Sequence, residues 1–344
     1  MMRFRVFKKK RYQLVLTGFV CLVIGFIAGW EGEIFYEYNM MEVTRPNIVS
    51  RGHEKLINPL LECEVGADRL RQQQLKPFKN KVKQLIAERI KDKTAAKISV
   101  YFRDLDDGMT FNINGNEEYS PASLGKLPIM MAYFKLAEND PGLLKKKLKY
   151  DGKLDKAKEQ YFKPNVTLEA GKSYTIDELI YRMIAYSDNN AWRILLDHID
   201  TDYLNSVVID LGAAFLTGPR GEPQVTVKSY SIFLRVLYNA SYLNDEMSEK
   251  ALEYLETIEF PFGIASSIPL DITVVNKFGE RYARYGNEKQ LHDFGIVYYP
   301  NSPYILCIMV KGDDFTKMAP ILHEISQLIY AEVDAQHKAS DRIH

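Results

Sequence analysis

The chain has 344 residues, enough for one large domain with attachments, and its 46% hydrophobic and 26% charged residues are ordinary for a globular protein. Its 45 basic and 45 acidic side chains cancel, so no global field favours nucleic acid, and no nucleic-acid partner is expected. The six histidines form no pair at helical spacing and the three cysteines are scattered, which argues against a zinc hydrolase; no metal site and no cofactor are expected.

The one basic cluster is Arg3, Arg5, Lys8, Lys9, Lys10 and Arg11. It precedes an uncharged run from Tyr12 to Trp30, about the 20 apolar residues that a bilayer-spanning helix needs. Basic residues before the run and Glu31 and Glu33 after it place the N-terminus in the cytoplasm and the rest outside. A cleavable signal peptide is the rival, but its apolar core is usually shorter and Ile27-Ala28-Gly29-Trp30 is a poor cleavage site, so an uncleaved anchor is favoured. The chain then reads as a basic tail (1–11), a transmembrane anchor in the lipid bilayer (12–30), a stalk or packed arm (31–74), a folded domain (75–336) and a short tail (337–344). Cys21 lies mid-span and is given no role. Cys63 and Cys307 could pair, but nothing requires it, and Cys307 sits in an apolar strand as a buried thiol would.

Folded structure is expected from Leu75. Phe78, Val82, Leu85, Ile86 and Ile90 recur at helical spacing, which predicts an amphipathic helix over 75–91. Residues 97–103 and 109–114 alternate as strands, joined by a turn at Asp106-Asp107-Gly108. Next comes Tyr119-Ser120-Pro121-Ala122-Ser123-Leu124-Gly125-Lys126, leading into the apolar run 127–134. A helix starting at or just before Ser123 places Lys126 one turn later on the same face, its amine within reach of the Ser123 hydroxyl. Helix dipole and partial burial both disfavour a protonated lysine there, so a neutral amine could take the serine proton. The plainer reading is a capping serine followed by a solvated lysine.

The stretch 145–158 is basic and reads as exposed. Thr175 and Glu178 form a capping-box pattern opening a helix through Ala185. Ser187-Asp188-Asn189 follows, a triplet rare by composition that could equally cap the next helix, 191–199. Amphipathic helices are expected at 202–211, 228–242 and 248–258. The period then changes to strands at 273–279, 292–299 and 304–310, with turns at Gly286-Asn287 and Asn301-Ser302-Pro303, and a closing helix at 315–335.

This order predicts an α+β fold: a five-stranded antiparallel sheet built from both ends of the domain, flanked by helices, plus an all-helical lobe. Ser123, the Ser187 loop and the Lys277 strand lie at block boundaries and could converge on a cleft.

Taken together, Ser123-x-x-Lys126, Ser187-Asp188-Asn189 and Lys277-Phe278-Gly279 resemble the Ser-x-x-Lys, Ser-Asp-Asn and Lys-Thr-Gly set of class A β-lactamases and penicillin-binding proteins, over about residues 75–335. The resemblance implies a β-lactamase/transpeptidase-like fold and an acyl-enzyme on Ser123, with Lys126 as base and Ser187 relaying a proton to the leaving nitrogen. It further implies that Asn189 holds the substrate amide, that Lys277 and Gly279 belong to the substrate-binding strand, and that the backbone N–H groups of Ser123 and Glu280 form an oxyanion hole. The implied partner is a small β-lactam or D-alanyl peptide.

Two departures stand out. Phe278 replaces the family's Thr or Ser, removing a hydroxyl that contacts the substrate carboxylate; Arg281 or Arg284 are the candidates to compensate. The Glu-x-x-Leu-Asn pattern that supplies the family's deacylation base is also missing, leaving Glu222 as the one acidic residue in that connection. The expectation is a membrane-anchored, extracytoplasmic serine hydrolase of β-lactamase type. Two alternatives remain: a D-Ala-D-Ala peptidase of peptidoglycan, and a surface binding module that keeps the fold without turnover. A Ser-His-Asp hydrolase is disfavoured because no Gly-x-Ser-x-Gly elbow is present.

Overall fold

Strongly apolar segments at the two ends of the domain, 97–113 and 274–312, have one way to bury both faces and satisfy their backbone: they pair with each other. In the computed structural model, strands β1 (Lys97–Asp104) and β2 (Thr110–Ile113) join three late strands that fall here at Val274–Tyr282, Lys289–Val297 and Tyr304–Gly312. The described residues are 55–59, 69–106, 108–153, 155–212, 216–217, 222–258, 260–282 and 287–340, and they lie within one unit, Val49–His344. The anchor expected at 12–30, Cys21, Cys63 and Arg284 lie outside them. Among the described residues no helix is long and apolar enough to cross a membrane.

Between the sheet's two parts the chain runs, after β3 (Glu118–Tyr119), through β4 (Lys147–Lys149), β5 (Ser173–Thr175), β6 (Leu216–Thr217) and β7 (Pro223–Thr226); the late strands are therefore β8, β9 and β10. The sheet order is β2-β1-β10-β9-β8, all antiparallel, with Tyr101 opposite Cys307 and Lys277 opposite Phe294. The helices are α1 (Arg69–Lys91), α2 (Lys126–Ala137), α3 (Ile176–Ala185), α4 (Asn189–His198), α5 (Thr201–Asp210), α6 (Val227–Tyr230), α7 (Ile232–Tyr238), α8 (Asp245–Glu256) and α9 (Phe315–Ser340).

Alternation along β1 shows that both faces of the sheet are covered. Phe102 meets Phe78 of α1 edge to face and stacks on Phe111 of β2, whereas its neighbour Tyr101 lies on the other face, toward Ser231 between α6 and α7. Strands β9 and β10 are buried along nearly their whole length. Cys307 is a buried free thiol in β10, as its apolar surroundings predict.

The helical lobe is organised around α2, whose residues are almost all buried. Helices α3, α4, α5 and α8 pack around it, and Tyr133 donates to Leu195 O at 2.8 Å. The capping box at Thr175 and Glu178 is present, with both reciprocal bonds formed.

Several boundaries differ from expectation for identifiable reasons. Helix α1 begins at Arg69, before the expected Leu75, and carries Pro77 inside it. The helix expected over 228–242 breaks at Ser231, whose hydroxyl donates to Lys228 O at 2.7 Å and competes with the helical ladder. The basic stretch 145–158 is mostly exposed, but β4 pairs with β5 there as a two-stranded ribbon.

Candidate active site

The segment holding Ser123 is pinned from three sides. Ser120 N donates to Gln290 Oε1 at 3.0 Å, His292 Nε2 donates to Ser120 O at 3.0 Å, and Tyr230 Oη donates to Leu124 O at 2.5 Å. Ala122 takes φ +50°, a conformation that costs a non-glycine residue about 1–3 kcal/mol. The helix expected to contain Ser123 starts three residues later: 122–125 form a 3-10 turn and the α-helix begins at Lys126. Gly279 of β8 closes on this turn, since a Cβ there would lie 3.2 Å from both Ser123 N and Leu124 N. A side chain there would press on the backbone of the turn, so glycine lets the strand approach without displacing it.

The Ser187 loop meets this turn from the helical lobe. Asp188 caps α4, accepting from Asn190 N at 2.7 Å and Ala191 N at 3.2 Å, so the capping reading of the triplet holds for its middle residue. Capping leaves the flanking side chains free for other partners. Ser187 sits at φ +53°, and both its carbonyl and its hydroxyl bond to Lys126.

Lys126 is buried, and its Nζ bonds to Ser187 O at 2.5 Å, Ser187 Oγ at 3.1 Å and Asn189 Oδ1 at 2.7 Å. None of these three bonds is to Ser123; the amine is turned to acceptors on the Ser187 loop. A buried amine turns to the residues that satisfy all its donors, and Ser187 and Asn189 offer three acceptors. Burial holds this amine well below the ordinary lysine range, the nearby Lys277 adds to the effect, and Asp188 and Glu280 oppose it.

Lys277 is fully buried on β8. Its Nζ lies 3.1 Å from Ser187 Oγ, 3.0 Å from Phe278 O and 4.4 Å from the centroid of the Phe278 ring. Burial lowers Lys277 to about 7, with Asp293 and Glu280 pulling the other way. Ser187 Oγ is therefore bracketed by two amines at equal distance. A hydroxyl has one proton and two acceptor sites, so it can accept from one amine while donating to the lone pair of the other when that amine is neutral.

The remaining expected residues are placed differently. Glu222 is bound to Arg281 Nη2 at 2.5 Å, and Arg281 also donates to Ser120 Oγ. Arg281 is thus committed to an ion pair and a turn. Glu280 offers its side chain as well as its backbone: the carboxylate accepts from Tyr161 N at 2.7 Å and from Phe162 N at 3.1 Å. Phe278 stacks on Phe260 with ring centroids 4.3 Å apart and planes at 10°.

Sequence reasoning read 145–158 only as an exposed basic stretch and gave the loop at 155–162 no place at the site. Asn190 holds its start, accepting from Lys156 N at 2.7 Å and donating to Asp155 Oδ1 at 3.0 Å. Gln160 Nε2 donates to Ser187 O at 3.2 Å, and Glu280 fixes the loop's end. The one available signal was the second asparagine after Ser187-Asp188-Asn189. Among the described residues no cluster of His, Cys, Asp and Glu could hold a metal ion.

A five-stranded antiparallel sheet beside a helical lobe with a buried central helix defines an α+β fold of serine-hydrolase type, and within it Ser187 Oγ is shared by two buried lysines. The sequence matches the model of the Beta-lactamase enzyme family over residues 77–333, and the chain belongs to that family. Its fold is similar to that of a class A β-lactamase from Mycobacterium abscessus, at 20% identity and a TM-score of 0.63, covering 74% of this chain and 99% of that one. It is also similar to PBP-A, solved as a mutant in its acyl-enzyme complex with penicillin G, at 19% identity and a TM-score of 0.64, covering 76% and 97%. A β-lactamase from Sphaerobacter thermophilus aligns at 21% identity and a TM-score of 0.61, covering 72% and 94%. No functionally curated protein matches the chain in sequence.

Proposed function

We propose that this protein is a membrane-anchored, extracytoplasmic serine hydrolase that forms an acyl-enzyme through Ser123 with β-lactams or related amides. One observation carries the proposal: Ser187 Oγ stands 3.1 Å from the amines of both Lys126 and Lys277. In this reading a neutral Lys126 gives up one of its three present contacts, turns its lone pair to Ser123 and takes the hydroxyl proton as Oγ attacks the carbonyl, and the proton then passes through Ser187 to the departing nitrogen. Lys277 donates to Ser187 and supplies positive charge, while the Nδ2 of Asn189 remains free to meet the substrate amide. The amides of Ser123 and Glu280 would bind the oxyanion, a reading supported by the close approach of Gly279 to the Ser123 amide. Residues 12–30 would hold the domain at the outer face of the membrane, a reading supported by the basic residues before the run and the acidic ones after it.

A second reading, a D-Ala-D-Ala peptidase, is favoured by the fate of Glu222. Its carboxylate is paired with Arg281. A missing water activator slows acyl-enzyme hydrolysis by about 10²–10⁴-fold. Parallel assays of penicillin hydrolysis and of D-alanine release from a D-Ala-D-Ala peptide separate the two readings. Release of D-alanine with negligible penicillin turnover selects the peptidase, and rapid penicillin turnover selects the lactamase. Absence of both, with ligand binding unchanged in Ser123→Ala, would leave the binding module.

A further inference from the structure

Strand β8 is the edge strand of the main sheet, and its alternation sorts four consecutive residues onto two faces. Lys277 and Gly279 turn inward, to Ser187 and to the Ser123 turn respectively. Phe278 and Glu280 share the other face, and both meet Phe162: the two rings are 6.2 Å apart, edge to face, and Phe162 N donates to the Glu280 carboxylate at 3.1 Å. Phe162 and Phe278 each contact Phe260, the former at 5.1 Å between ring centroids. A groove of about 640 Å³ runs along this wall, lined by Phe162, Phe260, Phe278 and Tyr186 among others. Through Phe278 and Tyr186 it adjoins Lys277 and Ser187. The one charged side chain lining it, Lys163, is exposed, so its field is screened by water.

We propose that the outward face of β8 makes this site select against an anionic group beside the scissile bond, so that its preferred acyl donors are uncharged there and carry an apolar or aromatic substituent. The inference rests on the acyl-enzyme reading above. Three features support it. Glu280 puts a carboxylate one residue beyond the lysine–glycine pair, near enough to the Lys126 and Lys277 amines to act on both, and like charges brought together there repel. Phe278 presents a ring with no hydroxyl to donate, and apolar walls penalise an unpaired anion. The cation that could offset both, Lys277, is already engaged with Ser187, the Phe278 carbonyl and the Phe278 ring.

The test uses penicillin G and its methyl ester, a pair with the same lactam ring that differs by one negative charge. Acylation rates are read by intact mass on the folded protein, with Ser123→Ala as the control and Glu280→Gln as the variant. Glutamine keeps an oxygen that can accept from the Tyr161 and Phe162 amides, so the substitution removes charge while leaving the loop held. The expected result is acylation of the wild type at least about tenfold faster by the ester than by the acid. Glu280→Gln should bring the ester-to-acid rate ratio to within about twofold of one, whatever its effect on the absolute rates. Equal or faster reaction of the acid in the wild type overturns the selectivity while leaving Ser123 acylation standing. A ratio unchanged by Glu280→Gln overturns the role of the carboxylate. If neither compound forms a Ser123-dependent adduct, the acyl-enzyme reading falls and takes the inference with it.

Discussion

The inner and outer halves of the cleft follow different rules. In the inner half, Lys126, Ser187, Asn189 and Lys277 satisfy one another with short polar contacts inside a buried pocket. In the outer half, aromatic rings and one carboxylate face each other across β8 and the 155–162 loop. The inner half fits proton transfer at a serine. The outer half fits substrate choice and departs from the family's pattern at Phe278, where the family has a hydroxyl that contacts the substrate carboxylate. The contrast teaches that proton-transfer and recognition residues can diverge independently within one strand, because alternate residues of β8 face different environments.

The sharpest way to break this contrast is to remove the inner half. Ser123→Ala should abolish acylation, and Lys126→Ala should reduce it by at least about 10³-fold, measured as the second-order rate of adduct formation. Phe278→Thr in the outer half should leave that rate with an uncharged donor within about fivefold. A larger loss for Phe278→Thr than for Lys126→Ala would erase the distinction between the halves.

The pH profile sharpens it further. Because burial depresses Lys126, the amine is neutral at pH values where an ordinary lysine is charged. Acylation should therefore rise with pH and level off below the usual lysine range, and it should be lost in acid as Lys126 protonates. A plateau reached only at the pKa of an exposed lysine would contradict the role given to this amine.

A smaller effect, on stability, concerns the support beneath the Ser123 turn. Burial lowers His292 to about 4 from 6.5, and its Nε2–H already donates to Ser120 O. The unfolded chain binds the extra proton between these values, so stability should fall as pH drops from about 6.5 to about 4, by about 3 kcal/mol in all. Denaturant unfolding of His292→Gln across that window should show a weaker pH dependence than the wild type. Smallest is the loop contact: Asn190→Ala removes two bonds to 155–156 and should cost about 1–2 kcal/mol. It should also raise hydrogen exchange at Tyr161 and Phe162 with little change in the acylation of an uncharged donor.

Much of this was legible in the sequence, and what was not has physical causes. The five main strands and the capping box at Thr175 follow from local periodicity and short-range bonds, which a sequence states directly. The break at Ser231 was hidden because a serine inside an amphipathic pattern does not reveal where its hydroxyl will bond. Ser123, Ser187 and Lys277 could be nominated from spacing and motif order. That Lys126 turns to Ser187 and Asn189 could not, since this depends on which acceptors a distant loop brings within 3 Å. The pairing of Glu222 with Arg281 and the bond from Glu280 to the 155–162 loop are long-range as well, and neither residue sits in a pattern that marks its partner.

The central claim is that Ser123 is acylated with the help of the Ser187 cluster, and peptide mapping tests it most directly. The folded domain is incubated at millimolar concentration with penicillin G or its methyl ester, quenched in a time series, digested and sequenced by mass spectrometry. The account predicts one modified peptide, carrying the acyl group on Ser123, that is formed much more slowly in Ser187→Ala. Modification at another residue, or full labelling of Ser123 at an unchanged rate in Ser187→Ala, would contradict it.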